Sequence, residues 1–365
     1  MWAATLITSG AAVFGRLFLV NFLPSTLVVL GIFLPAQAGS FGLHLGDEDP
    51  AELFTLGTNV NTPGLLLLLA ASVIVAALTQ TFQIAMIRLL EGYWGSRGLF
   101  MRLANRRSEH FRERALRLYE RYASAEKNRS ELEALDRDLD RETERKQSLP
   151  QQAKKRQELE RELRLAVTAE EERRDFPPDI NKTLPTRLGN IMRSFEMRAG
   201  ERYGYSTLQF WPRLYPFLGD QLSKAYHASV DAVDAGVNFF YAFCIVALCL
   251  FVAYVDDPIL LWVPLLAVGA AMLAKRGAVA AARMQGLMEF VSFDLHRFEV
   301  LTAMHIGLPQ DPREEKKLAE ALSNFLRLGD DPGSFASNFP DSEFDHDPKT
   351  DAMTERGLRS PWVTE

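Results

Sequence analysis

The sequence predicts an all-α membrane protein: four transmembrane helices in two hairpins, joined by a helical cytoplasmic insert that includes a coiled-coil-like hairpin. Three observations predict this. Lys and Arg are missing from residues 17–87 and again from 225–274. Those two tracts hold four apolar runs long enough to cross a bilayer, which takes about 20 helical residues. Between the tracts, a densely charged stretch carries apolar residues at intervals of seven. The net charge of −6 over 365 residues conceals this segregation.

The four runs cover residues 17–36, 64–86, 237–255 and 258–274. Thr62 before Pro63, and Asp257 before Pro258, each place a capping side chain ahead of a proline at a first helical position. Pro24 and Pro264 lie within the first and fourth runs, where a kink is expected. Cationic residues orient the spans, because cytoplasmic loops retain Lys and Arg. The loop 37–61 has neither but carries Asp47, Glu48, Asp49 and Glu52, and the link after the third run holds Asp256 and Asp257. Arg88, Arg97, Arg102, Arg106 and Arg107 follow the second run, and Lys275 and Arg276 follow the fourth. The expected order is a first hairpin over 1–87, a cytoplasmic insert over 88–234, a second hairpin over 235–275, cytoplasmic helices over 276–328 and a disordered, Asp- and Pro-rich tail over 329–365. Ala36-Gln37-Ala38 resembles a signal-peptidase site, whose use would remove residues 1–38 and leave three spans. The length of the run and the single preceding Arg16 favour four.

The insert is expected to begin as a helix continuing from the second span. Phe111, Leu118, Ala125, Leu132 and Leu139 repeat every seven residues. Ser148-Leu149-Pro150 breaks that helix, and Leu159, Leu163 and Ala166 mark a returning arm, giving a hairpin over 97–175 with a thin apolar seam; a solvated charged helix with little partner contact is the alternative. Residues 186–218 form an aromatic elbow rich in Gly and Pro. It suits either the membrane interface, where amphipathic rings settle, or a compact packing unit against the hairpin. Past the fourth run, a helix should continue to about residue 306. A short amphipathic helix over 312–328 follows.

The sequence argues against an enzyme. It has no CxxC, HExxH, P-loop or GxSxG pattern. Cys244 and Cys249 lie in one apolar run and read as small buried hydrophobes. Asp294, His296, Glu299 and His305 are scattered around a helix, so no metal or cofactor is expected there; Asp294 and Arg297 read as an i,i+3 ion pair. Balanced charge in the insert gives nucleic-acid binding no support. The four spans hold no ionisable residue, which argues against a proton-coupled pump or a voltage sensor but not against a passive pore. Thr79, Gln80 and Gln83 are candidate pore-lining residues near a cytoplasmic mouth, with hydrogen bonding between helices as the alternative. Ala270, Ala274, Ala278 and Ala282, spaced by four, form a candidate packing face within one chain or between subunits.

Two resemblances follow from local strings. Leu188-Gly189-Asn190, Trp211-Pro212-Arg213-Leu214-Tyr215-Pro216 and Phe293-Asp294-Leu295-His296-Arg297-Phe298 resemble features of an uncharacterised family of bacterial four-span membrane proteins, over most of the chain. That resemblance implies the inner membrane and brings no activity or site residues. The layout of two hairpins around a helical insert, with Arg88-Leu89-Leu90-Glu91-Gly92-Tyr93-Trp94-Gly95 closing the second span, is similar to bestrophin-type anion channels. That family's acidic calcium clasp after the fourth span is missing. Two functions are therefore expected to compete: a homo-oligomeric passive channel in the lipid bilayer, and a membrane-anchored scaffold or sensor holding a cytoplasmic protein partner. Single cysteines test the topology on which both depend. In intact cells, a membrane-impermeant thiol reagent should label a cysteine at Ser40 or Asp49 and leave one at Ser130 unlabelled.

Overall fold

The computed structural model describes residues 15–16, 18–37, 62–95, 97–143, 149–255 and 259–328. Every regular element among them is a helix. The acidic loop, the Asp256-Asp257 link, Ala38 and the tail 329–365 lie outside the described residues. A π-helical turn, Phe18–Phe22, leads into α1 (Leu23–Gln37). Then come α2 (Thr62–Glu91), α3 (Gly98–Thr143), α4 (Leu149–Arg174), α5 (Arg187–Arg198), α6 (Thr207–Leu214), α7 (Asp220–Tyr254), α8 (Trp262–Ala303) and α9 (Pro312–Leu328). Four segments are long and apolar enough to cross a membrane: Phe18–Ala36, Gly64–Glu91, α7 and α8. At 1.5 Å per residue, α7 and α8 run about 52 and 63 Å. Both exceed the roughly 30 Å of a hydrocarbon core.

Two compact units divide the chain, and α5, α7 and α8 each contribute to both. The first holds Met1–Ser194 with His227–Gln285. Within it, α1 packs on α2. Gly31 of α1 meets Val246 of α7 so closely that an added Cβ would lie 2.6 Å from a Val246 methyl. The Tyr241 hydroxyl of α7 donates to the Met86 carbonyl of α2 at 3.0 Å. Gly236 of α7 lies against the backbone of Ala278 in α8.

The second apolar helix does not run on into the insert as the sequence suggested. Tyr93 N–H donates to Arg88 O and Gly92 N–H to Leu89 O, with Gly92 left-handed at φ 109°. This pair of bonds is a Schellman ending, in which glycine takes the φ that side chains resist. Gly95 and Gly98 also have positive φ, and the next helix starts at Gly98. The fourth apolar helix likewise starts at Trp262 and not at Pro258. Pro264 then falls in its first turn, where a missing N–H costs nothing, so the expected interior kink has no cause there.

α3 and α4 run antiparallel, with Arg114 paired to Glu172 at 2.8 Å. Ala115, Leu118, Ala169 and Phe176 are buried together, with Phe111 against them. Leu159 and Ala166 are also buried and Leu163 is half-buried. The side chains of Ala125, Leu132 and Leu139 lie outside the described residues. At the end of α4, the Ser194 hydroxyl hydrogen-bonds the carbonyls of Arg174 and Phe176. The buried Asp175 carboxylate accepts from Arg187 and from Arg283, the latter through Nε at 2.8 Å.

The Leu188-Gly189-Asn190 string has a mechanical explanation. Asn190 clamps the backbone of Leu184, its Oδ1 accepting from N–H at 2.7 Å and its Nδ2 donating to the carbonyl at 2.9 Å. The Thr186 hydroxyl donates to the Glu91 carbonyl at the end of α2. Gly189 then lies on that carbonyl, leaving no room for a side chain.

The second unit holds Phe195–Tyr226 with Gly286–Glu365. Its core gathers Tyr205, Phe210 and Leu214 from the elbow, Phe293, Val300 and Leu301 from α8, and Leu318, Ala319 and Leu322 from α9. Packing is tight at Gly286, which lies on the Phe195 ring, and at Gly200, against Phe293 and the Tyr205 carbonyl. Burial pushes the Tyr205 phenol well above its ordinary value. The elbow residues 195–218 thus pack on α8 and α9, and 186–194 pack at the ends of α2 and α4. α8 ends in a second Schellman pair, Ile306 N–H to Leu301 O and His305 N–H to Thr302 O, with His305 in the glycine position at φ 56°. Asp311 caps α9 by accepting from the N–H groups of Arg313 and Glu314.

Gly189→Ala should place a Cβ against the Glu91 carbonyl oxygen, with no room for it unless the backbone shifts. The expected cost is about 1–3 kcal/mol, read as a lowered thermal-denaturation midpoint of the full chain in detergent. Gly269→Ala, where the space around the glycine is open, should leave the midpoint unchanged or slightly raised.

Candidate functional site

Proline chemistry prepares the site. Pro24 has no N–H, so it cannot donate to the Val20 carbonyl one turn earlier. The backbone widens into the π-helical turn there. The freed carbonyl is taken by Asn238 of α7, whose Nδ2 donates to Val20 O at 2.9 Å and to Asn21 Oδ1 at 3.0 Å. Pro24, Val20 and Asn238 are all buried. The contact fixes Asn21 and Arg16 against α7.

Beside it opens a recess of about 290 Å³. Arg16, Val20 and Asn21 line it from the first segment, Gln80 and Gln83 from α2, and Asp231 and Asp234 from α7. Helical spacing accounts for the pairs: 80 and 83, like 231 and 234, are i,i+3 neighbours on one face. Arg16 Nε lies 2.7 Å from Asp231 Oδ1. Asp234 faces the Gln83 amide, and its charged neighbours are Asp231 and Arg16. Both polar atoms of that amide are buried and neither completes a well-aligned hydrogen bond. Two carboxylates therefore share the recess with one guanidinium, beside an amide with hydrogen-bonding capacity to spare. That arrangement suits holding or passing a small polar species, and it contains no nucleophile paired with a base.

Of the predicted polar collar, Gln80 and Gln83 reach this recess and Thr79 does not. The Thr79 hydroxyl donates to Val75 O at 2.8 Å within its own helix, as Thr81 does to Ala77 O, Ser25 to Asn21 O and Thr26 to Phe22 O. A hydroxyl that returns to the i−4 carbonyl has used its one donor within the helix and keeps its oxygen lone pairs as acceptors. Arg16, Asp231 and Asp234 were missed because they stand just outside the apolar runs. The signal was present in the i,i+3 acidic pair on a helix about to enter an apolar run.

The alanine face divides. Ala278 and Ala282 are fully buried, Ala270 and Ala274 only half, and Ala267 and Ala271 are buried in their place. A strict spacing of four drifts about 40° per step around a helix, so the ladder leaves its neighbour. The 267, 271, 278 and 282 pattern, alternating four and seven, stays on one side.

The histidine-containing string is structural. Asp294 accepts from Arg202 at 2.9 Å and from the Tyr203 hydroxyl at 2.7 Å. It does not pair with the Arg297 side chain through its carboxylate; Arg297 instead binds Glu315 at 2.7 Å and stacks on Tyr203 and Phe298. Side-chain reach across the fold displaced the local pairing. His296 lies 3.1 Å from Glu299. Among the described residues no group of His, Cys, Asp and Glu gathers as a metal site.

No family model, curated protein or solved structure matches the chain. What stands is a class: an all-helical protein with four helices long and apolar enough to span a membrane.

Asn238→Leu removes the donor to Val20 O. It should destabilise the detergent-solubilised protein by about 1–2 kcal/mol, read as a lower midpoint of thermal aggregation. Thr79→Val, which breaks only a bond within its own helix, should change that midpoint by much less.

Proposed function

We propose that the chain is a multi-pass protein of the bacterial inner membrane, with its termini and insert in the cytoplasm, and that copies assemble around a shared axis as a passive, non-enzymatic ion channel. The recess where Gln80 and Gln83 meet Arg16, Asp231 and Asp234 carries this reading. It places charged and amide groups at one end of an apolar bundle, the end from which the cation-rich segments leave. The interior of a single bundle is filled by close contacts such as Gly236 on Ala278, so conduction is assigned to an axis between chains. Large apolar side chains remain exposed on α2 and α8, including Leu67, Ile84, Leu265 and Leu273, and suit lipid or neighbouring copies.

The excess of carboxylate in the recess selects cations over anions, opposite in sign to the bestrophin-type resemblance. A second reading, a membrane-anchored scaffold, is supported by the insert: α3 has 46 residues, and Leu165 and Val167 on α4 are exposed to a partner.

The test joins subunit counting of the purified protein with flux from liposomes. A multimer should pass K⁺ in preference to Cl⁻. Asp234→Lys should reverse or abolish that preference, and Gln83→Leu should lower the flux, with assembly intact. A stable monomer that conducts nothing at any applied voltage or tension removes the channel and leaves the scaffold.

A further inference from the structure

The first turns of α3 carry a face that is left exposed among the described residues. Leu99 is 76% exposed, Phe100 65% and Leu103 48%. At 100° per residue these three fall within about a third of the helix circumference. Arg102 and Arg106 border the same arc, Arg97 precedes it, and Arg107 follows one turn on. The packing of α3 on α4 begins further along, at Phe111 and Arg114, so the return arm does not shield this face.

Its depth can be placed from two sides. The helix starts seven residues after α2 ends at Glu91, past Tyr93 and Trp94, ring types that settle at a membrane surface. Arg107 lies within electrostatic reach of Lys275, the first cation after the apolar run of α8. Both place the start of α3 where the apolar helices leave the hydrocarbon.

We propose that residues 98–107 form an interfacial anchor lying in the membrane surface. Leu99, Phe100 and Leu103 sink to the acyl boundary, while Arg102 and Arg106 hold the phosphates of anionic lipids. The short link from α2, the bordering guanidiniums and the exposed apolar arc all point to a lipid surface. The inference rests on the membrane reading of α2 and α8, and is independent of conduction.

The experiment uses the full chain with Cys244→Ala and Cys249→Ala, in nanodiscs of phosphatidylglycerol and phosphatidylethanolamine. An environment-sensitive fluorophore is attached at Phe100→Cys, at Leu67→Cys on α2 or at Ser124→Cys further along α3. The Phe100 probe should be blue-shifted and quenched most by nitroxides high on the acyl chain. The Leu67 probe, about 12 Å from the midpoint of the 64–86 run, should be quenched by acyl-chain nitroxides and not by an aqueous quencher, and the Ser124 probe only by an aqueous quencher. Replacing Arg102 and Arg106 by Glu should lower the preference for phosphatidylglycerol over phosphatidylcholine by about fivefold per residue. It should leave the Leu67 probe unchanged. A Phe100 probe that only aqueous quenchers reach overturns the proposal, and so does one that neither lipid nor aqueous quenchers reach, which marks contact with another copy. An unquenched Leu67 probe overturns the membrane reading itself.

Discussion

The packing of the first unit depends on one carbonyl group. Pro24 leaves Val20 O without its helical donor, and leaving a buried carbonyl unpaired is costly. Asn238 supplies the donor from α7. The rotation of the first segment, its π-helical turn and the position of Asn21 follow from that requirement. So does the recess, because Arg16 is brought to Asp231 by the same anchoring of the segment. Gly31 then leaves room for the Val246 side chain of α7, and Gly236 lets α7 approach the backbone of α8. Small residues, the Asn238 amide and the Tyr241 hydroxyl join the apolar helices of this unit.

The segments beyond the apolar runs are governed by how helices end. Two Schellman endings, at Gly92 and at His305, turn the chain out of helices that could otherwise continue. After the first, the Glu91 carbonyl becomes the seat for Thr186 and Gly189, which ties α5 to the end of α2. After the second, Ile306 folds back beside Leu301 into the aromatic core of the second unit. Asp175 shows the same economy with charge. A buried carboxylate is costly alone, and Arg187 and Arg283 supply the compensating hydrogen bonds from two different helices.

Charge is concentrated where the apolar runs stop. The recess gathers Arg16, Asp231 and Asp234, and the start of α3 collects arginines beside exposed leucine and phenylalanine. The channel reading and the lipid-anchor reading both draw on this zone, and a scaffold would use the α3–α4 arm beyond it.

The sequence alone determined the class of element and its approximate span. The absence of Lys and Arg from 17–87 and 225–274 marked the four apolar segments, and α9 emerged over the residues its amphipathic pattern predicted. These are legible because hydropathy and helical period are local properties. Gly92 was equally local, but its role as a helix end was overridden by the expectation of a continuous helix. The candidate site was half legible: Gln80 and Gln83 stood out as polar residues in an apolar run, whereas Arg16, Asp231 and Asp234 did not. Only the tertiary structure decided that Asn238 serves Val20, that Asp294 takes Arg202 in place of Arg297, and that Ala267 and Ala271 share the packed face with Ala278 and Ala282. The reason is physical: a side chain bonds to the partner that three-dimensional packing brings within about 3 Å, and sequence spacing restricts that choice only within a single helix.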